Sequence, residues 1–272
     1  MIIEWHFIIL LLALGLLNGV LAGLLGIGGG MVIVPAMIWL LPKVGVSDEN
    51  LMHMALATSM ATICFTAISS SYAHHKRGSI SVNSLKVLVP FIAIGGLLGA
   101  YIADLINSVW LGRIFGVGAI IMGVQMAMDK LPISKSAVAG GVLIPVKVAP
   151  AGITMGAISS LLGIGGGSVV VPYLLYHKEK LVNAIGTAAA CGLPLAIMAT
   201  IGYVVLGWNQ VDLPAYHFGY VYLPAVLAIA IGSVISAPFG AYLAHKLPTA
   251  LIKKIFAILM IVIGVKILIN NI

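Results

Sequence analysis

The sequence has 272 residues, of which 61% are hydrophobic and only 8% are Asp, Glu, Lys or Arg, against about 25% in an ordinary soluble domain. This composition excludes a water-soluble globule and predicts an all-α integral membrane protein in a lipid bilayer. The net charge of +7 comes from 14 basic and 7 acidic residues. Because the basic residues stand singly among apolar runs, we expect no nucleic-acid partner.

Apolar segments follow one another along the whole chain. They are 6–25, 31–41, 51–72, 84–103, 111–128, 138–163, 168–176, 181–206, 219–243 and 251–269. No Lys or Arg precedes the first segment, so we expect it to belong to the mature protein rather than to a cleavable signal peptide. The segments form two sets of five, which predicts a duplication into repeats 1–135 and 136–272.

The same residues recur in the same order in both sets. Leu25–Gly30 reads Leu-Gly-Ile-Gly-Gly-Gly and recurs as Leu162–Gly167, and we call these the first and second glycine hexads. Pro35 and Pro172 follow the hexads at the same spacing. Later in each repeat, Gly99, Ala100 and Tyr101 recur as Gly240, Ala241 and Tyr242. This agreement indicates two copies of one unit.

Three segments of each repeat are long enough to cross the membrane. These predicted helices are 51–72, 84–103 and 111–128 in the first repeat and 181–206, 219–243 and 251–269 in the second. An odd number of crossings gives the two repeats opposite orientations. Inverted repeats of this kind occur in secondary transporters that work by alternating access.

The remaining segments of each repeat, within 6–41 and 138–176, are predicted to form helical hairpins with a glycine hexad at the tip. Segments 31–41 and 168–176 have about ten residues, or about 15 Å of helix, half of a 30 Å hydrocarbon core. Because of Pro145 and Pro150, we expect the regular helix before the second hexad to start near Ala151. Its tip is therefore predicted near the membrane midplane, while full crossing by 6–25 stays open.

The sidedness of the chain follows from its basic and aromatic residues. Loops that stay in the cytoplasm are enriched in Lys and Arg, and tryptophans favour the membrane–water interface. Basic residues mark the predicted cytoplasmic side at His74–Arg77, Lys130, Lys135, Lys178, Lys180, Lys246, Lys253 and Lys254. The tryptophans mark the other side, at Trp5, Trp39, Trp110 and Trp208. Both termini are predicted to be non-cytoplasmic.

The glycine hexads predict a binding site for a small anion. Successive glycines expose backbone N–H groups just before the N-terminus of a short helix, where the helix dipole also favours negative charge. The alternative is that the glycines only permit tight turns and close packing. Because unpaired N–H groups are costly in lipid, the presence of two hexads favours the binding-site interpretation over the packing interpretation. Its predicted ligands are Gly28, Gly29, Gly30, Gly165, Gly166 and Gly167. Gly29→Val and Gly166→Val are expected to abolish binding without unfolding the protein.

Enzymes and nucleotide-driven pumps are poor interpretations of the hexads. Met31 and Ser168 stand where a dinucleotide fingerprint needs its last glycine, and there is no phosphate-binding loop. No paired nucleophile and base or metal-ligand motif is present either. We therefore expect no enzymatic activity, no cofactor and no metal. The alternative to a carrier is an anion channel with the same glycine-lined site.

The paired hexads, together with Ala57–Ser59 and its weaker echo Gly186–Ala188, resemble the TauE/SafE family of sulfite exporters and sulfonate permeases. The resemblance covers nearly the whole chain. It implies a multi-pass inner-membrane carrier of small anions such as sulfite, sulfoacetate or sulfonates. The second repeat has Ala188 where the first has Ser59, so we expect unequal hydroxyl coordination. The family is diverse in substrate, and the resemblance does not select one anion.

Uncharged hydroxyl groups are the expected side-chain ligands. Thr58, Ser59 and Thr187 follow the hairpins, and Ser168 follows the second hexad. A hydroxyl can donate to a sulfonate oxygen without the cost of a buried charge. The alternative is that these hydroxyls bond the carbonyl one turn back, as Ser and Thr in apolar helices often do. Lys147 is either a counter-ion for the substrate or a residue that snorkels to the interface.

The sequence does not determine the coupling ion or the oligomeric state. Every carboxylate lies in a loop or at a segment end, so no buried carboxylate relay is visible. A proton carried by His53, sodium held by hairpin carbonyls, and diffusion down the membrane potential are the alternatives. A homodimer is equally open.

Overall fold

The computed structural model describes residues 5–25, 29–128, 145–243 and 249–270. This part of the chain is almost entirely helical, so the all-α fold class is confirmed. Its helices are α1 (Trp5–Leu25), α2 (Gly30–Leu40), α3 (Asp48–Lys76), α4 (Val82–Asp104), α5 (Ser108–Met128), α6 (Pro145–Leu161), α7 (Gly167–Tyr176), α8 (Leu181–Leu206), α9 (Leu223–Leu243) and α10 (Thr249–Asn270). A 3-10 turn, Leu41–Val44, follows α2.

Six helices in the described part are long and apolar enough to cross a membrane, namely α1, α3, α4, α5, α8 and α9. α10 coincides with the last predicted segment and has 22 residues. Helices form here because lipid offers no partner for backbone N–H and C=O groups, and a helix satisfies them internally. The chain therefore has the architecture of a multi-pass membrane protein.

Two helix pairs, α1 with α2 and α6 with α7, correspond to the segments of the two predicted hairpins. α2 has 11 residues and α7 has 10, which makes helices of about 15 Å, too short to cross. α1 has 21 residues and reaches about 31 Å, enough to cross the hydrocarbon core.

The expected start of α6 near Ala151 is wrong. The helix begins at Pro145 and continues through Pro150. Proline at the first helical position loses no hydrogen bond, and Pro150 removes only one N–H from an otherwise continuous ladder.

The sequence predicts a helix from residue 219, but the structure has a turn at 219–220 followed by a short strand at 221–222. His217–Phe218 (β1) pairs antiparallel with Val221–Tyr222 (β2), and Gly219 between them has φ +56°. This positive φ suits glycine and turns the chain back, so helix α9 starts only at Leu223. The β-hairpin lies between α8 and α9.

Helices α3 and α8 cross at the centre of the molecule. In the most apolar stretch of α3, 83% of the residues are buried. Around them α1 packs on α9, α6 on α4, and α5 on α10. Glycines permit the close approach. A Cβ on Gly95 would lie 2.9 Å from the Cα of Gly156, and one on Gly264 would lie 2.6 Å from the carbonyl oxygen of Gly116. The core therefore consists of helices in backbone contact, as is common in lipid.

The loops gather at two opposite ends of the bundle. At one end, Asn50 Nδ2 donates to the Val211 carbonyl (3.4 Å) and Met52 N donates to Ser108 Oγ (3.1 Å). We call it the tryptophan end because Trp39, Trp110 and Trp208 lie in its segments, half-exposed. The other end joins the start of α4 to the start of α8. We call it the basic end because it includes His74, His75, Lys76, Arg77, Lys178 and Lys180.

Candidate anion-binding site

The second glycine hexad connects α6 to α7 through a tight turn. Gly163 has φ +59° and its N–H donates to the Ser160 carbonyl (3.1 Å), which closes α6 with a left-handed glycine. At the start of α7, Val170 N donates to the Gly166 carbonyl (2.8 Å), and no side chain caps the helix. The N–H groups of Gly166 and Gly167 precede this first bonded turn. They lie at the positive end of the helix dipole.

These glycines line a cavity. It is narrow in this conformation, with about 10 Å³ of space for the centres of water-sized molecules, and it is open on one side. The lining residues are Gly165, Gly166 and Gly167 at the tip, Ile63, Ala67 and Ser70 on α3, and Ala188, Ala189 and Gly192 on α8. Apart from the Ser70 hydroxyl, every side chain in this lining is apolar or absent. The glycine backbone is therefore the main polar surface that the cavity offers.

The cavity faces the basic end of the molecule. On α3 its lining runs from Ile63, which is fully buried, to Ser70, which is partly exposed. Ser70 is one turn from His74, and the basic residues follow immediately. The α7 N-terminus is therefore open towards the end of the molecule that carries these basic residues.

The first glycine hexad contacts the second. A Cβ on Gly30 would overlap the Gly163 carbonyl oxygen and lie 3.0 Å from the Cα of Ile164, so the two hairpin tips touch here. The N-cap of α2 is Gly29, with φ +78°. Gly28 lies outside the described residues. The structure thus brings the two predicted glycine motifs together, with the cavity on the α7 side.

Gly29 and Gly166 differ in what they tolerate. A side chain on Gly29 is strained by its positive φ and would overlap the Asn18 carboxamide, so Gly29→Val perturbs the tip itself, and the expectation that it leaves the protein folded stays a prediction. Gly166 has φ −57°, and a Cβ there would lie 3.3 Å from the Ala188 carbonyl oxygen. Only the second tip is suited to this kind of test.

Asn18 on α1 supports the first tip with a fixed orientation. Its Nδ2 donates to Ser233 Oγ (3.2 Å), and that hydroxyl donates its own hydrogen to the Gly15 carbonyl (2.9 Å). The Ser233 oxygen must therefore accept, which places the Asn18 amide nitrogen towards it. Asn18 Oδ1 then faces Gly29, fully buried, and has no donor in the described part of the chain.

The two predicted serine ligands lie beside the second tip. Ser59 Oγ donates to the Gly163 carbonyl (2.7 Å) and is fully buried, so it ties the tip to α3. Ser168 Oγ is buried and has no partner among the described residues. Direct contact of either hydroxyl with substrate stays a prediction.

The two predicted threonine ligands make corresponding hydrogen bonds. Thr58 Oγ1 accepts from Tyr222 N (3.1 Å) just before α9, and Thr187 Oγ1 accepts from Ser81 N (2.9 Å) just before α4. Neither bonds the carbonyl one turn back. Each threonine binds the residue at the start of a distant helix, α9 or α4. Neither is among the cavity-lining residues, and their role in binding stays a prediction.

Thr58→Val and Thr187→Val are each expected to lower the free energy of unfolding by about 1–3 kcal/mol, because each leaves a buried or half-buried backbone N–H without its acceptor. The measurement is the melting temperature of the purified protein in detergent. Thr154→Val is the matched control, since the exposed Thr154 hydroxyl bonds the Pro150 carbonyl one turn back. Melting temperatures equal to that of the control would contradict this role of the two threonines.

The lining on α3 and α8 was missed by sequence reasoning. Ala188, Ala189 and Gly192 are small residues in an apolar helix and resemble ordinary packing positions. Ile63, Ala67 and Ser70 share one helical face at spacings of four and three, but this spacing also occurs in any buried helix. The one feature of the sequence that points to this part of the lining is that Ala188 is adjacent to Thr187, a predicted ligand. The side chain of Lys147 lies outside the described residues.

Comparison with known proteins shows the family of the chain. The family model described as "Sulfite exporter TauE/SafE" matches residues 11–267. The chain belongs to the TauE/SafE family. The resemblance inferred from the hexads is thereby confirmed, and both hexads lie inside the matched region of this TauE/SafE protein.

Relatives of this TauE/SafE protein are named as transporters. A probable membrane transporter protein of Haemophilus influenzae is 40% identical over 260 residues, covering 95% of this chain and 97% of the relative. The probable membrane transporter protein YunE of Bacillus subtilis is 27% identical over 281 residues, covering 97% and 98%. A relative from Methanocaldococcus jannaschii is 26% identical over 259 residues, covering 90% of each chain. No solved structure matches the chain. This TauE/SafE protein is a multi-pass membrane transporter.

Proposed function

We propose that this transporter carries small sulfur-containing anions of the sulfite, sulfonate or sulfoacetate type and binds them at the α7 N-terminus. The observation that carries the proposal is the cavity lined by the backbone of Gly165, Gly166 and Gly167. The family description, which names sulfite export, supports this substrate class.

The cavity chemistry suits a compact oxyanion. Its donors are backbone N–H groups, which point at the ligand without a side chain between them. The partial positive charge of a helix N-terminus is about half an elementary charge, and several oxygens on one sulfur can each accept an N–H. The described lining contains no charged side chain. Release of the anion therefore requires no ion pair to be broken.

The packing of the helices supports an inverted-repeat architecture with repeats 1–135 and 136–272. The contact of α1 with α9 has its counterpart in the contact of α6 with α4. In the first, a Cβ on Gly240 would lie 2.8 Å from the Val20 Cα; in the second, a Cβ on Gly99 would lie 2.9 Å from the Ala157 Cα. These pairs match at the spacing of the sequence repeat.

Alternating access follows from this architecture. The two hairpin tips meet between α3 and α8, near the proposed membrane midplane. The cavity at the second tip faces the basic end, which we assign to the cytoplasm by the positive-inside rule. The present conformation is then inward-facing, in the inner membrane, with both termini outside. In the outward-facing conformation, the positions of α3 and α8 relative to the two hairpin tips are exchanged.

The test is a transport screen of the purified protein in proteoliposomes. Sulfite, sulfate, thiosulfate, short sulfonates and carboxylates are offered with and without pH and Na⁺ gradients. We expect saturable counterflow of sulfite or of a small sulfonate. Transport restricted to carboxylates would contradict the substrate class. A conductance of the size of a single channel would show that the protein is an anion channel and not a carrier.

A further inference from the structure

Ile63 on α3 has the largest side chain in the lining of the cavity at the second hairpin tip. The other lining residues that the structure describes are glycine, alanine or serine. Ile63 is fully buried, and a β-branched side chain in a helix has one strongly preferred rotamer. The end of the cavity that lies away from the basic end is therefore closed by a rigid apolar side chain.

The first hairpin tip supports Ile63 from behind. A Cβ on Gly30 would lie 2.8 Å from Ile63 Cδ1, so the first tip packs against the end of this side chain. On its other side, Ile63 lines the cavity together with the glycines of the second tip. The side chain thus stands between the two tips. Because Gly30 lies directly behind it, Ile63 cannot move away from a ligand in the cavity without displacing the first tip.

The width of the cavity is also restricted near its opening. Ser71, which follows the lining residue Ser70, donates from Oγ to the carbonyl oxygen of Ala189, a lining residue on α8 (3.1 Å). This hydrogen bond joins α3 to α8 beside the opening. A ligand therefore lies in a narrow space, with Ile63 at one end and two helices held together at the other.

The sequence repeat places different residues at the two positions that set the size of this space. The spacing that relates Thr58 to Thr187 also relates Ile63 to Gly192. Both Ile63 and Gly192 line the cavity. A Cβ on Gly192 would lie 3.7 Å from Gly166 N, so its absence leaves room beside that N–H group. The space is thus open on the α8 side and filled on the α3 side, and Ile63 is the side chain whose shortening enlarges it most.

We propose that Ile63 limits the size of the bound anion and makes the site selective for compact oxyanions without an organic substituent, such as sulfite, over organic sulfonates. The inference deepens the proposed function and rests on binding of the anion at the α7 N-terminus. The oxygens of sulfite can accept from the glycine N–H groups, whereas an added carbon group competes with Ile63 for space. One methylene group in an apolar pocket changes selectivity by about 10- to 200-fold.

The test compares two anions that differ by one carbon group. The affinities of the purified protein for sulfite and for methanesulfonate are measured by isothermal titration calorimetry at one pH. We expect the wild type to bind sulfite at least about tenfold more tightly than methanesulfonate. Ile63→Ala shortens the side chain to a methyl group and is expected to lower this ratio by about tenfold or more. Formate and acetate are measured in the same way, as a pair without sulfur.

Three further variants separate the size of the side chain from its contribution to folding. Ile63→Val is a smaller change and is expected to lower the ratio less than Ile63→Ala. Ile63→Leu keeps the volume and is expected to keep the wild-type ratio. Ile68→Ala makes the same chemical change on α3 at a side chain that is 55% exposed, outside the lining, and is the matched control. A merely structural role of Ile63 would weaken binding of both anions alike and leave their ratio unchanged.

The outcomes distinguish this proposal from the proposed function. If the wild type binds sulfite and both Ile63→Ala and Ile63→Val keep its ratio, the size limit is wrong and the proposed function stands. If the wild type binds formate but neither sulfur anion, the proposed substrate class is wrong. In that case a changed ratio of acetate to formate affinity in Ile63→Ala supports the size limit, and an unchanged ratio overturns it. Absence of binding of all four anions would overturn both proposals.

Discussion

Gly192→Val is expected to abolish anion binding while leaving the protein folded. A Cβ on Gly192 would lie 3.7 Å from Gly166 N and 4.0 Å from the Ala67 Cβ, which are ordinary contact distances. The two methyl groups of valine then fill the space in front of the Gly166 N–H. A hydrogen bond to a charged group contributes about 1.5–3 kcal/mol. Loss of one or two such bonds lowers sulfite affinity by about a hundredfold or more.

The measurement is isothermal titration calorimetry with sulfite, accompanied by the melting temperature of each variant. Ala127→Val adds apolar volume on the exposed face of α5 and is the control for volume alone. Gly192→Ala is the milder second variant, with an intermediate loss of affinity expected. Wild-type affinity in Gly192→Val would move the anion site away from the second hairpin tip.

Gly30→Ala is expected to separate the two hairpin tips. The added Cβ would overlap the Gly163 carbonyl oxygen, and it would lie 2.8 Å from Ile63 Cδ1 and 3.0 Å from the Ile164 Cα. Two of these three neighbours are backbone atoms, which cannot move out of the way as a flexible side chain can. Overpacking of this kind costs about 1–3 kcal/mol. We expect a melting temperature lower by several degrees and a loss of counterflow.

Gly192→Ala serves as the matched control for the melting temperature of Gly30→Ala only, because it makes the same chemical change where a Cβ fits. Its melting temperature is expected to stay close to that of the wild type. If Gly30→Ala has wild-type stability and wild-type counterflow, contact between the tips is not needed for transport. The account of a shared central site would then require revision.

The hairpins and crossing helices are predictable because their signals are local. An apolar run of twenty residues specifies a crossing, and a run of ten after three glycines specifies a half-helix. The β-hairpin at 217–222 escaped prediction because its apolar residues merge with those of α9 and its turn depends on the positive φ of Gly219. Pro150 does not delay the start of α6, since one proline removes a single hydrogen bond and the helix continues past it.

The candidate site was only half predictable for a related reason. Gly165, Gly166 and Gly167 form a motif that can be recognised in the sequence, and in the structure they line a cavity. Gly192 and Ala67 become lining residues only because α3 and α8 cross, which no local pattern encodes. The sequence shows Thr58 and Thr187 only as hydroxyl groups in apolar helices, and their bonds to Tyr222 N and Ser81 N depend on contacts between helices far apart in the chain. Long-range crossings determine which polar groups remain free for a ligand.

The most direct test of the central claim is the position of a bound anion. Selenite has the shape and charge of sulfite, and its selenium scatters anomalously in a crystal. After selenite is shown to compete with sulfite for binding, we predict an anomalous peak in the cavity, about 3.5–4 Å from the backbone nitrogen of Gly166, as hydrogen-bond lengths require. A peak confined to another part of the molecule would contradict the account.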